Sequence, residues 1–254
     1  MVFLRLFDCA DLDKIDILGV ILNRISYDEA IERIKDYIKT KRAGIIVTPN
    51  AEIIMNAQTR KELKNAINTA DISFPDGIGV LIASKILKSP LADRTAGYDL
   101  LIKMLQLAQE ERLSIYLLGG VPGVAEDAAR ILSRKFPNLI TAGTMHGYFD
   151  EDAEKRVIED INKKTPDMLI VGMGSPKQEL FMSRFRHVLK CGVAIGVGGS
   201  LDVISGRVQR APVFMQKAGM EWLFRLLVQP ARIKRVGALP LFLLKVIFFR
   251  RIEK

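Results

Sequence analysis

The chain has 254 residues, nearly half of them hydrophobic, enough to bury one large core or two small ones and too apolar for disorder. Its 38 Lys and Arg outnumber its 29 Asp and Glu by 9. That whole surplus lies from Arg207 onward, where 11 basic residues meet 2 glutamates, so residues 1–206 sum to zero. Cys9 and Cys191 stand far apart with no CxxC, which excludes a disulfide framework or a cysteine-based structural metal. With His146 and His187 the only histidines, a Ser-His-Asp engine has little to draw on. Met1 to Leu6 is too short and interrupted for a signal peptide, and no run reaches the roughly 20 apolar residues of a membrane span. A cytoplasmic chain is expected.

Taken in order, Asp16 to Leu22 is a mixed apolar run that predicts a strand. Ser26-Tyr-Asp-Glu29 is a capping box opening an amphipathic helix with Ile31, Ile34 and Ile38 on one face. Ile45 to Val47 predicts a short buried strand that breaks into Thr48-Pro-Asn50, with a helix from Glu52 and another over Lys61 to Ala70. A second strand, Ile72 to Phe74, breaks into Pro75-Asp-Gly77, followed by a helix to Leu87 that Ser89-Pro90 stops. The polar loop Ala92 to Gly97 leads into a helix over Tyr98 to Arg112.

From Ser114 the pattern is regular. Strands at Ser114–Leu118, Leu139–Ala142, Met168–Val171 and Val193–Val197 alternate with helices, the first of them nearly continuous in apolar residues, as a parallel sheet covered on both faces requires. This predicts an α/β fold, a Rossmann-like, doubly wound parallel sheet preceded by an N-terminal α/β portion. Right-handed crossovers bring the loops to one sheet edge, where ligands of such sheets bind.

Those loops carry the chemistry. Gly119–Gly123, Gly172–Ser175 and Gly198–Ser200 have the composition of phosphate cradles, although none is a Walker sequence or a GxGxxG fingerprint. Asp76, fixed between Pro75 and Gly77, is a candidate base or a helix N-cap. Lys177, Gln178 and Glu179 open a helix beside the same edge, and Arg94 stands in a polar loop, able to pair with phosphate or simply to face solvent. His146 reads as a turn histidine and Ser205-Gly-Arg207 as a helix C-cap. Asp11-Leu-Asp13 has the spacing of a cation-holding pair but lies away from every loop named above, so no metal site is expected.

The basic segment is amphipathic. Pro212 to Leu227 predicts a helix with Trp222, Phe224 and Leu226-Leu227; Arg232, Lys234 and Arg235 follow Pro230. Val236 to Phe249 is apolar except for Lys245, ahead of Arg250-Arg251. It is too short to span a bilayer and too apolar to lie in water, so an interfacial helix on an anionic membrane is favoured over docking in the core or in a homo-oligomer interface. Aromatic residues are not interleaved with the cations as nucleic-acid stacking platforms require. Two regions result: a core over 1–206 and a membrane-associating appendage over 207–254.

Thr48-Pro-Asn50, Pro75-Asp-Gly77, Gly119-Gly-x-Pro-Gly123, His146-Gly-Tyr-Phe149, Gly172-x-Gly-x-Pro-Lys-Gln-Glu179, Gly196-Val-Gly-Gly199, Arg210-Ala-Pro212 and Gly219-Met-Glu-Trp222 occur in that order. Together, over Leu18 to Arg235, they resemble the WecG/TagA/CpsF glycosyltransferase family, and its TagA branch most. The resemblance implies a metal-independent, inverting transfer from a UDP-sugar to a polyprenyl-diphosphate-linked acceptor at the inner face of the cell membrane, with no cofactor. For that branch the step is N-acetylmannosamine onto lipid-linked N-acetylglucosamine, the β-1,4 linkage unit of wall teichoic acid. It implies Asp76 as general base and Thr48 and Asn50 as orienting groups. Gln178 would hold a donor hydroxyl or phosphate. Gly198, Gly199, Ser200, Arg94, Arg225, Arg232 and Arg235 would stabilise the leaving diphosphate. A family member using UDP-N-acetylmannosaminuronic acid and a catalytically silent nucleotide-sugar-binding protein are the alternatives.

Overall fold

The computed structural model describes residues 12–91, 96–228 and 237–252. Side chains along its strands alternate between two apolar layers, as the period of two in a pleated strand demands. Ile45, Val47, Tyr116, Leu118, Leu169, Val171 and Ala194 join one core. Ile46, Ile115, Leu117, Met168, Ile170, Val193 and Ile195 join the other. These residues belong to β3 (Gly44–Val47), β5 (Ser114–Gly119), β7 (Met168–Gly172) and β8 (Val193–Gly196). With β4 (Ile72–Ser73) and β6 (Ile140–Met145) they form a six-stranded parallel sheet in the order β4-β3-β8-β7-β5-β6. The expected α/β, doubly wound architecture is what the chain adopts. At the β6 edge the strand is largely uncovered and runs on through Thr144 and Met145, beyond the predicted stop at Ala142.

The predicted strand at Asp16–Leu22 is instead a hairpin, β1 (Lys14–Ile17) against β2 (Val20–Asn23). Leu18 and Gly19 both take positive φ, 57° and 77°, the requirement of a tight primed turn. Leucine is an uncommon occupant of that position, and its burial in the core is the compensation. The capping box forms as predicted on α1 (Tyr27–Thr40): the Ser26 hydroxyl accepts from the Glu29 amide and the Glu29 carboxylate from the Ser26 amide.

One layer of helices comprises α1, α5 (Gly97–Glu110), α6 (Val124–Lys135) and the short α9 (Ser200–Ile204). The other comprises α2 (Ala51–Ala57), α3 (Lys61–Asn68), α4 (Ile78–Ile86), α7 (Glu151–Lys164) and α8 (Lys177–Phe185). The predicted helix at Pro212–Leu227 is two, α10 (Val213–Lys217) and α11 (Glu221–Val228), separated at Gly219, where φ is 71°. The last helix, α12 (Ala238–Ile252), packs on α2 and α4. Its Phe242 and Val246 are fully buried, while Leu241, Leu244, Ile247 and Phe248 remain exposed. An apolar helix thus divides its surface between the core and the outside. No helix among the described residues is long and apolar enough to cross a membrane.

This packing separates two phenylalanines six positions apart. Phe242→Ala removes a fully buried ring and is expected to lower unfolding free energy by about 3 kcal/mol. Phe248→Ala, at 58 % exposure, should change it by no more than about 0.5 kcal/mol. Chemical denaturation of the two variants beside wild type measures both.

Candidate active site

Where β3, β4, β7 and β8 end, their loops surround a cavity of about 370 Å³. Thr48 and Asn50 follow β3, Asp76 and Gly77 follow β4, Gly174, Ser175 and Gln178 follow β7, and Val197 to Ser200 follow β8. Gly97 and Tyr98 at the start of α5 complete the inner wall. The outer wall is Lys217, Glu221, Trp222 and Arg225 of α10 and α11, with Leu239 of α12.

Asp76 is not a helix cap. The N-cap of α4 is Gly77, with φ of 84°. The Asp76 amide donates to the Pro49 carbonyl (3.1 Å), and its carboxylate Oδ1 accepts from the Gly97 amide (3.0 Å). The side chain therefore does not cap α4 but reaches across the strand ends to the first amide of α5, lining the cavity. Crowding by protein atoms pushes its pKa above the usual carboxylate range. The Gly97 hydrogen bond and the Arg225 charge oppose the shift, and the Glu221 and Asp99 charges add to it.

Thr48 and Gln178 brace the floor. The Thr48 hydroxyl donates to the Gly196 carbonyl (3.0 Å), so toward a ligand it has only lone pairs left. Gln178, 2 % exposed, accepts at Oε1 from the Gly198 amide (2.9 Å) and donates from Nε2 to Glu179 Oε1 (2.8 Å). One Nε2 hydrogen remains for a ligand. Gly196 is glycine for room: a Cβ there would lie 2.8 Å from Gln178 Nε2. Asn50 caps α2, its Oδ1 accepting from the Ile53 amide (3.0 Å), and its amide nitrogen is left to donate. Ser200 opens α9 with its hydroxyl on the Val197 carbonyl (2.7 Å), beside the backbone of Gly198 and Gly199.

Other candidates are employed elsewhere. Lys177 donates to the Gly147 carbonyl (2.7 Å) and lies over the Phe149 ring, away from the cavity. Glu179 is 1 % exposed, and burial raises its pKa against the Gln178 hydrogen bond. The Gly119–Gly123 loop does not line the cavity; Arg207 lies against Gly123 and pairs with Asp127 (2.9 Å) in the first turn of α6. His146 Nδ1 accepts from the Tyr148 amide (3.2 Å), the turn role expected of it. Asp13 pairs with Arg24 (3.0 Å), and Asp11 lies outside the described residues. Arg94, Arg232 and Arg235 also lie outside them; Arg225 is the predicted arginine that the structure places at the cavity. Sequence reasoning missed Lys217 and Glu221 of the outer wall and Tyr98 of the inner wall, which carried no signal beyond an amphipathic pattern and the Gly219-Met-Glu-Trp222 motif. Among the described residues, no three His, Cys, Asp or Glu side chains come together as a metal site would need.

A ligand-sized cleft outside the carboxyl ends of a parallel sheet, with a desolvated carboxylate on one wall and an arginine on the other, defines an α/β enzyme of the Rossmann-like kind. Comparison with known proteins narrows the class. The model of the Glycosyl transferase WecG/TagA/CpsF family matches residues 15–254, and the chain belongs to this family of glycosyltransferases. It is 37% identical over 215 residues to the N-acetylglucosaminyldiphosphoundecaprenol N-acetyl-beta-D-mannosaminyltransferase of Bacillus spizizenii, covering 85% of this chain and 83% of that one. It is likewise 37% identical over 235 residues, 92% of each chain, to the protein of the same description from Staphylococcus aureus.

The raised pKa of Asp76 makes its charge a cost to the fold. An acid whose folded pKa lies above its unfolded value loses stability as pH rises from the unfolded value through the folded one. Asp76→Asn, whose Oδ1 still accepts from Gly97, is therefore expected to melt above wild type at neutral pH. The difference should shrink as pH falls through the raised Asp76 pKa and vanish below the ordinary carboxylate range. Thermal melts across pH check the sign.

Proposed function

We propose that the protein moves N-acetylmannosamine from UDP-N-acetylmannosamine to N-acetylglucosamine-diphospho-undecaprenol, making the β-1,4 linkage unit of wall teichoic acid. The observation that carries this reading is the Asp76 carboxylate, anchored by one oxygen to Gly97, turned into the cavity and facing Arg225. The names of the two relatives supply the sugar and the lipid-linked acceptor.

In this mechanism the acceptor 4-hydroxyl attacks the anomeric carbon as its proton passes to Asp76. The bond from that carbon to the diphosphate breaks, UDP departs with the electron pair, and the anomeric centre inverts. Desolvation strengthens Asp76 as a base. Thr48, with only lone pairs to offer, accepts from a sugar hydroxyl, and Asn50 and Gln178 donate to sugar or phosphate oxygens. Departing charge is met by Arg225, the amides of the Gly198–Ser200 turn and, in this proposal, Arg94, Arg232 and Arg235. Such fixed donors and cations do the work that a metal would otherwise do.

Residues 207–254 act as an appendage that meets the cytoplasmic face of the membrane. The support is the exposed apolar surface of Val213, Phe214, Leu227, Leu241, Leu244 and Phe248 within the basic segment. Apolar insertion beside cations is the chemistry of an anionic interface.

The deciding assay is transfer from UDP-N-acetylmannosamine to the lipid-linked acceptor in EDTA, with UDP-N-acetylmannosaminuronic acid as the comparison donor. Asp76→Asn is expected to lose about 10²- to 10⁴-fold in kcat, the usual contribution of a general base. The acidic limb of the wild-type profile should lie above the ordinary carboxylate range, activity falling as pH drops through the raised Asp76 pKa. Undiminished turnover by Asp76→Asn would refute the mechanism, and preference for the uronic acid would reassign the donor. The paired substitution Leu244→Asp/Phe248→Asp should abolish sedimentation with phosphatidylglycerol vesicles while leaving the melting temperature near wild type.

A further inference from the structure

The outer wall of the cavity has little to hold it. Neither α10 nor α11 contains a buried residue, so apolar packing does not fix the helix that presents Glu221, Trp222 and Arg225 to the cavity. Among the described residues, Arg210 spans the gap between α5 and α11. Arg210 Nη2 lies 2.6 Å from Asp99 Oδ1 in the first turn of α5 and 3.5 Å from Glu221 Oε1 in the first turn of α11. Its guanidinium also stacks 4.2 Å from the centroid of the Tyr98 ring, itself part of the cavity lining. Both carboxylates meet the one Nη2, and the planar stack on Tyr98 is what suits arginine and not lysine.

We propose that Arg210 is a positioning residue: it clamps α11 to the start of α5 and so holds Trp222 and Arg225 opposite Asp76. It touches neither reacting atom. Its effect passes through the wall, since Gly97, the donor to Asp76, and Tyr98 and Asp99, its own partners, are consecutive residues of one helical turn. The same turn that orients the carboxylate is therefore the turn on which α11 is hung. Without the guanidinium, Asp99 and Glu221 lose a shared cation, and α11 loses this tie to α5.

Trp222 is the only tryptophan in the chain and sits on the clamped helix at 38 % exposure, which makes its fluorescence a reporter of the wall. In Arg210→Gln, quenching of Trp222 by acrylamide is expected to rise and its emission to shift to the red. Turnover in the assay above should fall about 10- to 100-fold in kcat/KM, the cost of misplacing binding groups by ångströms. Arg210→Lys, retaining the charge without the planar stack on Tyr98, should fall between. Asp99→Asn, which removes one leg and leaves Arg210 to Glu221, should raise quenching less than Arg210→Gln and serves if that variant folds poorly. Wild-type quenching in both neutral variants would overturn the proposal, as would a lowered melting temperature with quenching and kcat/KM unchanged. Only the kinetic readout rests on the transferase reading. If wild type itself fails to turn over, that reading falls, and the quenching still decides the clamp.

Discussion

A carboxylate crowded by protein atoms loses solvation that something else has to replace, and at Asp76, half-buried on the cavity wall, the replacement is incomplete. The Gly97 amide satisfies one oxygen, and Arg225 supplies a counter-charge from a separate helix. Full compensation, such as a buried bidentate arginine would give, would hold the pKa down and weaken the group as a base. The geometry of the strand ends sets this balance. Pro49 accepts from the Asp76 amide, and Thr48 reaches across to the Gly196 carbonyl, so three neighbouring strands, β4, β3 and β8, fix one another where they stop. Gln178 carries the bracing to β7 through the Gly198 amide. The residues with ligand-facing capacity are the same ones that hold the loops, which is why each has part of its hydrogen-bonding already used.

Much of this was legible before any coordinates. Nearly continuous apolar runs broken by Pro- and Gly-bearing turns locate parallel strands and their ligand edge, because only a doubly covered sheet buries such runs on both faces. Local chemistry was legible too, as in the capping box at Ser26. What escaped was settled by tertiary context. Leu18-Gly19 bears no usual turn signature, and its conformation is stabilised by a core that sequence periodicity does not display. Asp76 has the ideal identity and spacing for an N-cap, yet the positive φ of Gly77 moves the cap one residue on and turns the carboxylate away. Gly119–Gly123 has the composition of a phosphate cradle, yet the structure sets it outside the cavity, with Arg207, more than eighty positions later, against Gly123. Such outcomes depend on which distant side chain arrives, and no window of local sequence contains that.

The basic segment shows why charge and hydropathy alone leave a helix's partner undetermined. A helix apolar on every side can satisfy a core and still have surface to spare, and α12 does so: Phe242 and Val246 complete the layer over α2 and α4 while Leu241, Leu244 and Phe248 look outward. Docking and membrane contact are therefore compatible uses of opposite faces. This matters for the proposed reaction, because α10, α11 and α12 supply both the outer wall of the cavity and the exposed apolar side chains around it. An acceptor whose sugar is tethered by diphosphate to a long isoprenoid cannot leave its bilayer to reach Asp76. On that proposal, the surface that meets the lipid belongs to the elements that close the site. With the inner wall built on strand ends and most of the outer wall on α10 and α11, which contain no buried residue, the freedom to admit such a substrate is concentrated on the side from which it would come.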